Sequence, residues 1–266
     1  MQPKYDVLIT AGYNPDKIDP IKEMTGVHHK VLADVGGRPM VWHVVRAFVE
    51  SGLAGEIVIV GLGEEYALDF GVPVHYVENQ ASLWKNLKAG FDALNQWGDP
   101  DRYIIAMSAD SPLFTAELVR WFVDACQPEV KDLYWGVVRK EVMEETFPTS
   151  KRTYLPLREG SFCSGDLFMG KLSAGLRAHA KMHDFIVYRK SPLKQMQLLG
   201  FGTLLRLLFR RLTLQGLLGV AERHLDITGA PIIAPFAELG MDVDKAFQYE
   251  MVLDYWAKHR GPAAHD

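Results

Sequence analysis

Cysteine is nearly absent: the 266-residue chain has two, Cys126 and Cys163. Two thiols do not make the framework of a small secreted scaffold. With no paired base neither reads as a nucleophile, so reduced, inert thiols in a cytoplasmic protein are expected. An excess of one charge sign is also lacking. The 29 Lys and Arg stand against 33 Asp and Glu, a formal net charge of −4. A duplex-binding protein normally carries a basic footprint, so no nucleic-acid partner is expected. No uncharged run approaches the ~18 residues of a membrane span, and Met1–Asp6 meets acid before any apolar stretch forms. Neither a transmembrane segment nor a signal peptide is expected. Two phosphate-binding signatures are missing: the Gly-Lys-Ser/Thr of a Walker loop and the G-x-G-x-x-G of a dinucleotide fingerprint.

What is present is ordinary globular composition, 48% hydrophobic and 23% charged, enough to bury a large core. Short Val/Ile-rich runs alternate with amphipathic stretches. Tyr5–Thr10, Glu56–Val60, Val74–Val77 and Tyr103–Met107 read as strands. Met40–Ser51, Ser82–Gln96 and Thr115–Ala125 read as helices, with Ser82 and Thr115 as N-caps. Strand and helix in alternation predict a mostly parallel sheet with right-handed crossovers, an α/β fold with both faces covered. Leu133–Val138, Arg152–Leu157 and Ile227–Phe236 are further strand candidates, and Lys245–His259 a closing helix. A Leu-rich region, about 190–225, reads as a helical insertion broken at Gly200, Gly202, Gly216 and Gly219. Its Arg206, Arg210 and Arg211 meet no acid before Glu222. A cap over the site or the face of a homodimer is the preferred reading, and contact with anionic lipid is the alternative. One domain, 1–260, with a frayed tail at 261–266, is expected.

In open parallel sheets ligands bind beyond the carboxyl ends of the strands. Three segments lie there. Thr10-Ala11-Gly12 leads into a long loop, Tyr13–His29, bearing Lys17 and Lys22 and followed by Lys30. Gly12 lets backbone approach a phosphate or base. A loop of that length is usually functional or mobile. Ser108-Ala109-Asp110-Ser111-Pro112-Leu113 follows the Tyr103–Met107 strand; Asp110 either caps a turn or offers hard oxygens to a divalent cation. Gly240-Met241-Asp242-Val243-Asp244 precedes the last helix, one of its two carboxylates expected as a cap and the other as a ligand. His28 and His29, being adjacent, do not converge on a metal, and His43 beside Trp42 reads as packing.

Taken together, Thr10-Ala11-Gly12, Gly26-Val27-His28-His29-Lys30-Val31-Leu32, Gly36-Gly37-Arg38-Pro39-Met40, Ala109-Asp110-Ser111-Pro112-Leu113 and Asp242-Val243-Asp244-Lys245 resemble a known family in order and spacing. It is the MobA-like nucleotidyltransferases, which include molybdenum-cofactor guanylyl- and cytidylyltransferases and are similar to sugar-1-phosphate nucleotidyltransferases. The resemblance runs from residue 5 to about 258. It implies a Rossmann-like, mostly parallel sheet of the nucleotide-diphospho-sugar transferase type. It also implies Mg²⁺, and transfer of an NMP from an NTP to a small phosphorylated acceptor with release of pyrophosphate. By the same resemblance, Ala11 and Gly12 cradle the nucleotide and Lys30 meets its phosphates as a catalytic cation. Catalytic Asp110 binds Mg²⁺ with help from Asp242 or Asp244, and Ser82 and Asn86 lie where relatives contact the base or ribose. Gly165 and Asp166, where relatives often carry Asn before a Leu-Phe pair, fall to the acceptor. Asp166 there disfavours a nearby anion or adds a metal ligand. Tyr13 stands where relatives have a small residue, and no Arg precedes Arg38; Lys17 or Lys22 is the substitute, a point charge without Arg's fork. A glycosyltransferase of the same fold, using a nucleotide-sugar, and a non-catalytic nucleotide-binding protein are the rival readings.

Overall fold

The computed structural model describes residues 3–66, 68–126, 130–187 and 200–261. The main sheet runs in the order β10-β7-β9-β6-β1-β4-β5. These strands are β1 Tyr5–Thr10, β4 Ala54–Val60, β5 His75–Val77, β6 Tyr103–Ser108, β7 Leu133–Arg139, β9 Gly160–Lys171 and β10 Gly229–Ala234. Strand β8, Leu155–Leu157, pairs with β9 off this path, and β2 (Asp34–Val35) and β3 (Arg38–Pro39) form a separate two-stranded ribbon. Pairing is parallel between β1, β4, β5 and β6 and between β7 and β10. Only β9 runs against its neighbours β6 and β7, joining the two parallel halves.

Helices cover both faces. On one lie α2 (Met40–Ser51), α4 (Ala116–Ala125), the short α5 (Lys140–Thr146) and, following β10, α9 (Ala246–His259). They enclose the larger core, with Val7, Ile9, Val44, Phe48, Ile59, Phe122 and Val252 buried. On the other lie α3 (Leu83–Leu94) and α6 (Leu172–Val187), over Leu8, Val58, Val60, Ile104 and Leu172, and α8 (Leu214–Leu225), whose Leu214 packs with Val137, Leu157 and Phe162. Burial on both faces is why these strands are runs of Val and Ile. Ser82 and Thr115 do cap α3 and α4, their hydroxyls accepting from Lys85 N and Leu118 N.

Several expectations need correction. The loop Tyr13–His29 contains a helix, α1 (Pro20–Thr25), whose N-cap is Asp19: its carboxylate accepts from Ile21 N and Lys22 N. The strand expected at Arg152–Leu157 narrows to β8, and that at Ile227–Phe236 to β10. Strand β9, Gly160–Lys171, was not among the expected strands. Gly165 and Gly170 are small because a Cβ would collide with Leu239 and with the Asp132 carbonyl. In the Leu-rich region, Gly202 lies inside α7 (Phe201–Leu208), and Gly216 and Gly219 lie inside α8, so they do not break helices. Residues 190–199 of that insertion and 262–266 of the tail fall outside the described residues. No described helix is long and apolar enough to cross a membrane.

Candidate active site

Thr10, Val60 and Ser108 stand level at the carboxyl edge of the sheet. The chain leaves β1 there through buried Ala11, whose N–H donates to the Val60 carbonyl at 2.8 Å. Gly12 and Gly61 then meet back to back. A Cβ on Gly61 would overlap the Gly12 backbone, and a Cβ on Gly12 would overlap Asn86 Nδ2. Buried Asn86 is braced at both ends of its amide. Its Oδ1 accepts from Gln80 N at 2.7 Å, and its Nδ2 donates to Asn79 Oδ1 at 3.1 Å. Asn79 in turn donates to the Tyr13 carbonyl at 2.9 Å. The loop between β5 and α3 is thereby tied to the Gly12 loop, with Ala81 held at φ +60, a conformation that costs roughly 1 kcal/mol or more outside glycine.

These parts enclose a cleft of about 490 Å³, whose lining includes Thr10, Gly12, Lys17, Ser82, Asn86 and Ser108. It opens on the N-terminus of α3, where unpaired N–H groups favour an anion. Lys17 is among the lining residues, whereas Lys22 sits over the Tyr13 ring, 5.5 Å from its centroid. Ser82 and Asn86 shape this cleft through their cap and brace.

Beside the cleft, Lys30 rises from a 3₁₀ turn, Lys30–Leu32. That turn is capped by His29, whose Nδ1 accepts from Val31 N at 3.3 Å, while its Nε2 faces the Gly61 carbonyl at 3.2 Å. Burial lowers the pKa of His29, so the ring is a neutral structural brace. Lys30 Nζ lies 2.5 Å from Asp110 Oδ2 and 3.0 Å from Asp244 Oδ1. Burial works against the Lys30 charge, but Asp110 and Asp244 outweigh it and hold its pKa above the ordinary 10.5. Ser108 Oγ donates to Asp110 Oδ1 at 2.5 Å. The Asp110 carbonyl accepts from Val243 N at 2.9 Å, which draws the segment before α9 to the end of β6.

Asp166 lies one step beyond the Met107–Leu167 pair. Its Oδ2 is 3.5 Å from Ser111 Oγ. Burial first, then the Asp110 carboxylate, raises its pKa to about 7, against the opposing charge of Arg152. Arg152 is ion-paired with Asp242. So Asp242 and Asp244 face different cations, and neither carboxylate caps α9: its N-cap is Lys245, with no side-chain cap bond. Gln248 reaches back instead, its Oε1 accepting from Asp244 N at 3.0 Å. Gly165 is buried where a Cβ would overlap Leu239, a packing requirement. Of the positions named from sequence, Lys30, Asp110, Asp166 and Asp244 gather at one centre, Gly12, Ser82 and Asn86 line the adjoining cleft, Ala11 is buried and does not line it, and Asp242 sits apart on Arg152.

Sequence reasoning missed Arg152, Ser108 and Asn79. Arg152 comes from the irregular stretch before β8, where no spacing marks it; Ser108, the last residue of β6, carried a signal in being a small polar side chain two before Asp110. The two thiols are buried, and burial raises both. His43 packs on Trp256 with ring centroids 4.3 Å apart and bonds the Val35 carbonyl at 2.7 Å.

Among the described residues no three His, Cys, Asp or Glu side chains close around one point. Mg²⁺ does not need that, since it takes one or two carboxylates plus substrate phosphates. Asp110 and Asp244 already share one cation, the Lys30 ammonium, and the displaced Asp166 marks a surplus of negative charge beside them. These hard oxygens fit a divalent ion; Asp242, engaged by Arg152, is the poorest of the set.

A nucleotide-sized cleft at the edge of a Rossmann-like sheet, next to a carboxylate-lysine centre, defines the class: an α/β nucleotidyltransferase. The chain belongs to the MobA-like NTP transferase domain family, whose sequence profile matches residues 22–206. That span holds Lys30, Ser82, Asn86, Asp110, Gly165 and Asp166 but not Ala11, Gly12, Asp242 or Asp244. A bifunctional protein GlmU from Rhizorhabdus wittichii is 32% identical over 105 residues, 38% of this chain, and the chain spans 23% of that relative's length. A solved structure described as a hypothetical transferase from Thermus thermophilus superposes with a TM-score of 0.79 at 31% identity, covering 94% of this chain and 99% of that one. CMP:2-keto-3-deoxy-manno-octonic acid synthetase complexed with CTP shares the fold, with a TM-score of 0.60 at 13% identity over 96% of this chain and 99% of that one.

Proposed function

We propose that the protein moves an NMP from an NTP to a small phosphorylated acceptor, with Mg²⁺ as cofactor and pyrophosphate as second product. The observation that carries this is Lys30, held between Asp110 and Asp244 and joined to the Gly12 cleft through Ser108, which lines the cleft and bonds Asp110. An acceptor-phosphate oxygen bonds to the α-phosphorus as the bond from that phosphorus to the pyrophosphate oxygen breaks. An ionised phosphate is already nucleophilic, so no general base is required, and the chain's work is positioning and charge neutralisation. The Gly12 backbone and the start of α3 receive the nucleotide. Lys30 stays charged throughout the working pH range and faces the charge that develops on the phosphates. Asp110, oriented by Ser108, and Asp244 would hold Mg²⁺, which when bound neutralises phosphate oxygens.

Thermal unfolding with each of the four NTPs, with and without Mg²⁺, tests the reading. A ligand at 100 times its Kd adds about 2.7 kcal/mol, several degrees of Tm. One NTP should stabilise the wild type only with Mg²⁺ and should fail to stabilise a folded Asp110→Asn variant. No shift with any NTP would sink the proposal. Nucleoside diphosphate as the product, in place of pyrophosphate, would turn it to glycosyl transfer.

A further inference from the structure

A second cleft, of about 590 Å³, opens between β7, β9, β8 and α8, within the size range of small-ligand sites. It lies on the β7–β9 side of the sheet, whereas the Gly12 cleft lies on the β1–β6 side. Ser164 on its wall is two residues before Asp166 on β9, and Thr153 on its rim follows Arg152. Ser108, the bond partner of Asp110, lines the other cleft. The two clefts therefore flank one group of charges, and the nucleotide accounts for only one of them.

The wall chemistry is what selects the occupant. Trp135, Val137, Leu157, Phe162, Leu214 and Leu217 supply most of it. Few polar atoms face it: Trp135 Nε1 donates to Ser164 Oγ at 2.9 Å, Ser164 Oγ donates to the Gly165 carbonyl at 2.9 Å, and the buried Tyr154 hydroxyl is left to offer a bond. A sugar placed here would strip its hydroxyls of water with few partners in return, which is unfavourable. An alkyl or aromatic body would not. Arg152 lies against Cys163 of the wall; it is ion-paired with Asp242, and the remaining donors of its fork suit a phosphate.

We propose that the acceptor is a phosphomonoester with an apolar body, alkyl or aromatic, lying in this cleft with its phosphate toward Arg152. This rests on the nucleotidyl-transfer reading above. The acceptor oxygen joins the α-phosphorus, pyrophosphate leaves with the bonding electrons, and the product is a nucleoside diphosphate ester of the apolar alcohol.

Calorimetric binding of ethyl, butyl, hexyl and octyl phosphate and of glucose 1-phosphate to the full chain tests it, with NTP stabilisation measured on the same protein. Affinity should rise about fourfold per added methylene (about 0.8 kcal/mol each) until the cleft is filled. Octyl phosphate should bind tighter than glucose 1-phosphate. Ser164→Phe, which fills the cleft, should flatten the series while the NTP shift persists; Leu217→Ser, a second variant, should weaken the longer members most. A flat series, no binding of any alkyl phosphate, tighter binding of glucose 1-phosphate, or an unchanged gradient in both folded variants would overturn the proposal. If the NTP shift itself is missing, the nucleotidyl-transfer reading fails first and this one with it.

Discussion

Replacing Asp166 by Asn should stabilise the ligand-free protein. The carboxylate is pushed from its ordinary 3.8 to about 7 by burial and by Asp110. A group whose folded pKa lies above its unfolded value keeps full stability below the unfolded value and loses it as pH rises through the folded one. For Asp166 that loss runs from about pH 4 to about pH 7 and is complete at pH 8. At about 1.4 kcal/mol per pH unit the displacement corresponds to at most about 4 kcal/mol. Relaxation of Lys30 and Arg152 toward the charge reduces it, and about 1–3 kcal/mol is expected. Asn keeps the shape and removes the charge, so Asp166→Asn should raise Tm by several degrees at pH 8. At pH 5 the gain should shrink by more than half, because wild-type Asp166 is then mostly protonated, and by pH 4 it should nearly vanish. Differential scanning calorimetry without nucleotide or metal reads this directly. A variant less stable than wild type at pH 8, or a gain equally large at pH 4, would refute the electrostatic account of the site.

Gly12→Ala places a Cβ on Asn86 Nδ2 and should cost about 1–3 kcal/mol in urea unfolding, the usual toll of overpacking. It should also abolish NTP stabilisation; an unchanged midpoint would show that the loop yields freely. Burial raises the Cys126 thiol to about 12 and raises Cys163 as well, against the opposing charge of Arg152. Neither should react with a disulfide reagent at pH 8 in the folded protein, and both should react after unfolding. Through Cys126, stability should fall as pH climbs from about 9 toward 12, since the folded state then holds more protons than the unfolded one. Rapid labelling of either native thiol would contradict the burial.

The periodic parts of the fold were legible. Met40–Ser51 and Tyr5–Thr10 stand at the bounds read from their patterns, and Ser82 and Thr115 are the caps their positions suggested. Such elements are set by local periodicity and capping, which one sequence carries. Strand β9 was not legible because its glycines answer to neighbours distant in the chain, Leu239 and Asp132. The site divides the same way. Asp110 and Lys30 could be named from their neighbours in sequence, but their contact spans 80 positions and that of Lys30 with Asp244 spans 214. Arg152 was invisible for the converse reason: nothing local distinguishes it from any loop arginine until Asp242 is seen against it.

The charges at the centre are unevenly matched, and that imbalance ties stability to activity. Arg152 and Asp242 form a neutral pair. Lys30 faces Asp110 and Asp244 directly and acts on Asp166 as well, so one positive charge stands against three carboxylates. The remainder, close to two negative charges, is what a divalent ion would neutralise, and the ligand-free protein relieves part of it by holding a proton on Asp166 near neutral pH. Proteins commonly keep such strain where function needs it. The same substitution that firms the fold, Asp166→Asn, removes negative charge beside Asp110 and Asp244, the two carboxylates that would hold the proposed Mg²⁺. Gain in ligand-free stability and loss of Mg²⁺-dependent NTP binding should therefore appear together in that variant. A site assembled for packing alone would show the first without the second.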